Sequence, residues 1–112
     1  MPKTTALTAV CTYRVKPGKE KEMLRLLGQQ WATLHRHGLI VGDRPIRLRG
    51  FRQRANHFRP AIDERTIVEI VSWKSARASE LAHRNPEVLA IWEPMALCCE
   101  SMEFPNFVAL EN

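Results

Sequence analysis

The sequence predicts an α+β fold in which a single antiparallel sheet carries its helices on one face. Three observations lead there. A period-two apolar pattern opens the chain, a stretch at helical spacing follows it, and the second half repeats the same strand–helix–strand sense. With 112 residues, 45% hydrophobic and 26% charged, the chain suits one globular domain spanning 1–112.

Residues 6–15 set Leu7, Ala9, Cys11, Tyr13 and Val15 against Thr8, Val10, Thr12 and Arg14, which is the alternation of a strand. Lys16-Pro17-Gly18-Lys19 turns the chain. From Glu20 the period changes, and Met23, Leu24, Leu27, Trp31 and Leu34 form a helical stripe. Gly38 should end that helix, because glycine tolerates a left-handed C-terminal cap. Leu39 to Arg44 reads as a connection. Ile46 to Gln53 reads as a second strand, with Ile46, Leu48 and Gly50 on one face and Arg47, Arg49 and Phe51 on the other.

Ala55 to Arg65 reads as a loop, since Asn56, Pro60 and Asp63 break any period. Thr66 to Trp73 gives the strongest strand pattern. Ile67, Val68, Ile70, Val71 and Trp73 leave almost no polar face, which predicts burial on both sides. Ser75 can cap a helix carrying Ala78, Leu81 and Ala82. Asn85-Pro86-Glu87 then starts another, with a cap residue, a proline at the first position and an acid in the first turn. Val88, Leu89, Ile91, Trp92 and Met95 form its apolar face, and Pro94 should kink or restart it. Ser101 to Leu110 reads as a last strand, placed at an edge by Pro105.

The order strand, helix, strand, strand, helix, strand is that of a ferredoxin-like βαββαβ sandwich with both helices on one face of the sheet. The other face would be bare, yet the Thr66–Trp73 strand looks apolar on both sides. Exposed apolar sheets of that size are rare on monomers. Two sheets meeting across a two-fold axis would cover it, so the pattern predicts a homodimer.

The net charge of +5 is concentrated in Arg44, Arg47, Arg49, Arg52, Arg54 and Arg59. Such a stretch can meet an anionic ligand, with Arg47, Arg49 and Arg52 as candidate anion-binding residues, or it can discourage unwanted pairing along a sheet edge. No nucleic-acid motif surrounds it, and nucleic acid is disfavoured as a partner. No apolar run approaches the ~20 residues of a membrane span, and the first residues lack a signal-peptide pattern. Three cysteines without ligand spacing fit reduced thiols, and the expected location is the cytoplasm.

Two segments carry a likeness to known proteins. One is Tyr13-Arg14-Val15-Lys16-Pro17-Gly18-Lys19-Glu20. The other is Ser72-Trp73-Lys74-Ser75-Ala76-Arg77-Ala78, continuing to Ala82-His83 and Pro86. Together they resemble the antibiotic-biosynthesis-monooxygenase family of the dimeric α/β-barrel superfamily. The resemblance covers most of the chain in element order, through short motifs. It implies a cofactor-independent, monooxygenase-like enzyme acting on a small aromatic or quinol-type compound, in a dry apolar pocket where a hydrogen-bonding group helps remove a proton. His83 matches a family position and is the candidate catalytic residue. Tyr13, Trp31, His35, Trp73 and Trp92 are the candidate pocket residues. The resemblance implies no cofactor. Where the family often has a second histidine, this chain has Val88. The first strand also lacks the asparagine of the haem-degrading members, which disfavours haem degradation.

Each candidate has a plainer reading. Trp31, Trp73 and Trp92 can be core residues, since large aromatics dominate burial. His83, followed by Arg84-Asn85, can be a helix-end residue. His35-Arg36-His37 can favour a helix dipole, and as metal ligands two residues apart His35 and His37 would diverge. Cys11 can be a small core hydrophobe, and no metal site is expected. A dimeric module that binds an apolar or anionic small molecule without chemistry is the alternative function.

Overall fold

In the computed structural model, residues 7–52 and 61–108 are described, with all their side chains except those of 43–44, 51–52 and 61–64. The element order is β1 (Leu7–Val15), α1 (Glu20–Arg36), β2 (Ile40–Arg52), β3 (Ala61–Trp73), α2 (Ala76–Ala82), α3 (Pro86–Cys98), β4 (Cys99–Glu103) and β5 (Asn106–Phe107). The sheet order is β2-β3-β1-β4, with β5 also pairing with β1, and every pairing is antiparallel. This is the ferredoxin-like arrangement.

The odd-numbered side of β1 is buried as its alternation predicts: Ala9, Cys11, Tyr13 and Val15 join one apolar cluster. The inward residues of all three helices belong to that same cluster, so the helices share one face of the sheet. Gly38 ends α1 at φ +67°, in the left-handed region where a side chain would be strained. Ser75 caps α2, its hydroxyl accepting from the Ala78 N–H at 3.1 Å. Asn85 caps α3, its Oδ1 accepting from the N–H groups of Glu87 and Val88.

Several boundaries differ from expectation. The Leu39–Arg44 connection is largely strand, because β2 starts at Ile40, which pairs with Trp73. The pairing shifts register between Val41 and Ile46, where Gly42 sits at φ +84°. β3 starts at Ala61, so the second part of the expected loop pairs with the end of β2; residues 53–60 lie outside the described residues. Backbone ladder bonds set that pairing, which polar Asp63, Glu64 and Arg65 conceal from an apolar pattern. α3 continues through Pro94, held by the burial of Val88, Met95 and Cys98 on one side. The last strand is two short ones interrupted at Phe104-Pro105, and the Pro105 carbonyl accepts from the Val10 N–H at 3.0 Å. On α1, Leu24 faces solvent while Leu26, Gln30 and Thr33 turn inward. Leu81 and Leu89 are also exposed.

β3 has two different faces. Ile67, Glu69, Val71 and Trp73 point to the helices and are buried. Val68 and Ile70 point away and are half-buried. They lie beside Val10 on β1 and beside Ile46 and Leu48 on β2, which are 59% and 50% exposed. The outer face of the sheet is therefore an apolar strip open to solvent in the single chain.

Candidate active site

Between the sheet and the helices lies a cavity of about 290 Å³. β1 contributes Ala9, Cys11 and Tyr13 to its wall, and β3 contributes Glu69, Val71 and Trp73. Gln30 and Leu34 come from α1, Ser79 from α2, and Trp92 and Met95 from α3. Met102, Phe104 and Asn106 complete it from the C-terminal strands, and His83 from the turn between α2 and α3. His83, Phe104 and Asn106 are exposed and mark its mouth, whereas Tyr13 and Glu69 are buried in its wall, Tyr13 edge-on to Phe104 with ring centroids 5.9 Å apart.

Glu69 is 1% exposed. A carboxylate so placed must find donors, and three converge on it. Its Oε1 accepts from the Tyr13 hydroxyl at 3.3 Å and from Gln30 Nε2 at 2.8 Å. Its Oε2 accepts from Arg47 Nε at 3.0 Å. The strand register explains the meeting, because Cys11 and Arg47 are the cross-strand partners of Glu69 on either side. Arg47 is further held by the Leu27 carbonyl at 2.9 Å, and Trp92 Nε1 donates to Gln30 Oε1 at 2.7 Å. Burial pushes the Glu69 carboxyl above its ordinary value, and Arg47, Gln30 and Tyr13 pull it back. Burial likewise raises the Tyr13 hydroxyl, helped by the Glu69 charge, and lifts the Cys11 thiol to about 11.

At the mouth, His83 Nδ1 lies 2.8 Å from the Ser79 carbonyl. A carbonyl only accepts, so Nδ1 carries a proton, and in the neutral imidazole the lone pair is on Nε2. The imidazole packs edge-on against Trp92, with ring centroids 4.8 Å apart. A fixed tautomer with an accepting nitrogen at an apolar cavity is an arrangement that can take a proton from a bound hydroxyl.

No protein-family model matches the chain, and no curated protein matches it. Solved structures do. A variant of SnoaB, a cofactor-independent oxygenase from Streptomyces nogalater, superposes with a TM-score of 0.73 at 20% identity, over 97% of each chain. PA3566 from Pseudomonas aeruginosa gives 0.71 at 15% identity, over 99% of this chain and 100% of that one. A candidate antibiotic biosynthesis monooxygenase from Nitrosomonas europaea gives 0.68 at 12% identity, over 94% and 99%. The chain has the antibiotic-biosynthesis-monooxygenase-like fold. At these identities the likeness is one of fold.

Within this monooxygenase-like fold, four of the expected residues meet at the cavity: Tyr13, Trp73, His83 and Trp92. Trp31 and His35 do not line it. They stack on each other along α1, with centroids 5.0 Å apart, because their i, i+4 spacing points both to one side of the helix. Of the candidate anion-binding residues, Arg47 is paired with Glu69 and Arg49 with Glu20. Arg52 ends β2, and its side chain lies outside the described residues. Among the described residues, no group of three or more His, Cys, Asp or Glu could hold a metal ion, and no helix is long and apolar enough to cross a membrane. Glu69 and Gln30 escaped the sequence reading. The signal for Glu69 was its parity, which it shares with Ile67, Val71 and Trp73.

Proposed function

We propose that this chain is a cofactor-independent, monooxygenase-like enzyme acting on a small aromatic or quinol-type compound, with His83 as the proton acceptor. The cavity supports this reading: it is largely apolar, its volume falls just under the ~300–1,000 Å³ range of ligand sites, and it presents the His83 imidazole at its mouth. Nε2 takes the proton of a phenolic hydroxyl, and the resulting anion is rich enough in electrons to reduce oxygen directly. One electron passes to O2, the radical pair combines into a carbon–peroxide bond, and loss of water leaves a quinone carbonyl. One oxygen atom enters the ring. The other leaves as water, with one hydrogen from the hydroxyl and one from the attacked carbon. The substrate supplies every electron, and the walls keep bulk water from the anion.

The outer sheet face supports a second copy of the chain as partner, because Ile46, Leu48, Val68, Ile70 and Val10 make a continuous apolar strip there.

Oxygen uptake by the purified protein, with phenols, naphthols and quinols and no added cofactor, tests the activity. Wild-type protein should accelerate uptake with at least one compound, and His83→Ala should lower kcat by about 10²-fold while remaining folded. A His83→Ala variant as active as wild type would overturn the role of His83. A compound that binds tightly without oxygen uptake would instead favour a non-catalytic ligand-binding protein.

A further inference from the structure

We infer that the buried wall of the cavity admits ligands that donate a hydrogen bond, so that it selects the neutral hydroxyl form of a phenol or quinol over quinones, ethers and carboxylates. The inference rests on the proposed function for its ligand class and adds the residue that chooses within it, Glu69.

The donors around Glu69 are already engaged. Tyr13 donates to Glu69. Gln30 donates to Glu69 through one of its amide N–H groups. Trp92 donates to Gln30. Arg47 is not part of the wall; it meets Glu69 from behind and holds the Leu27 carbonyl. At Glu69 what remains is accepting capacity. A carboxylate has about four lone-pair positions and three are filled here, which leaves Glu69 about one. Three converging donors, one of them the Arg47 guanidinium, favour the ionised form.

A hydroxyl entering the apolar cavity can therefore dock its proton on Glu69. A quinone or methyl ether offers only acceptors, and brings its oxygens against a carboxylate without gaining a bond. A ligand carboxylate adds a second negative charge beside the first, where the nearby cation is already shared.

The test is calorimetric titration under anaerobic conditions, where no turnover can occur, with 1,4-dihydroxynaphthalene, 1,4-dimethoxynaphthalene, 1,4-naphthoquinone and 1-naphthoate. The diol should bind wild-type protein about 10- to 100-fold more tightly than the other three, the range expected for a hydrogen bond to a charged group. In Glu69→Gln, whose amide adds a donor, the preference should fall below about threefold. Naphthoquinone or naphthoate binding wild-type protein as tightly as the diol would overturn the inference, and this arm needs no variant to fold. A folded Glu69→Gln that keeps the full preference would overturn the part given to Glu69. Selective diol binding without aerobic oxygen uptake would leave the inference standing and remove the oxygenase reading.

Discussion

Glu69 draws its donors from three separate elements: Tyr13 on β1, Gln30 on α1 and Arg47 on β2. Removing one of them leaves a sealed charge short of a partner. Arg47→Met should lower stability by about 1–3 kcal/mol in urea unfolding, at the modest end for buried pairs because Arg47 is itself a third exposed. The same burial fixes a pH dependence. The carboxyl is raised above 4.5 in the folded state, so the folded chain keeps that proton to higher pH than the unfolded chain does. The stability tied to this group is complete below the unfolded value and is lost as pH rises through the folded one. The difference in unfolding free energy between wild type and Glu69→Gln should thus fall as pH increases from about 4.5; a rise would show that the carboxyl is depressed instead. At this scale the sequence was half legible. Tyr13, Trp73, His83 and Trp92 stand out as residue types, whereas Glu69 is a lone acid in an apolar run and its importance comes from neighbours 56, 39 and 22 positions away.

Helix starts were the most legible elements, because capping is local chemistry. Ser75 and Asn85 sit in the sequence next to the N–H groups they satisfy. Asn85→Ala should cost about 1 kcal/mol, read as a lower urea midpoint with unchanged slope. Since Asn85 follows His83-Arg84 in the α2–α3 turn, the same variant should weaken any ligand of the mouth. The starts of β2 and β3 were illegible for the opposite reason. Ile40 becomes strand by pairing with Trp73, and Ala61 by pairing with Arg52, and neither partner can be read from a local pattern. The half-buried Trp31 was misplaced because helical spacing fixes a stripe only to within about a residue, and the true inward position is Gln30.

For the whole molecule, element order was enough to give the sheet, since few topologies join two strand–helix–strand halves without a crossed connection. The feature that acts at this scale is the outer face of the sheet. Val68 and Ile70 lie at the centre of its apolar strip, where a charge would be desolvated on pairing. Wild-type protein should sediment as a two-chain species, and Ile70→Glu should sediment as one chain while retaining its circular dichroism. A wild type that remains a single chain at tens of micromolar would overturn the dimer.

The Arg47–Glu69 pair also settles how β2 lies along β3. The two strands carry register shifts at two places, so their alignment needs a fixed point between them. A slip of one residue would throw Arg47 to the outer face and set Ile46 or Leu48 against the carboxylate. A slip of two could bring Arg49 to Glu69, but it would drive Arg47 opposite Val71, into the wall of the cavity. One alignment alone pairs the buried acid without burying a stray cation, so the same contact that furnishes the cavity acts as a bolt between the strands.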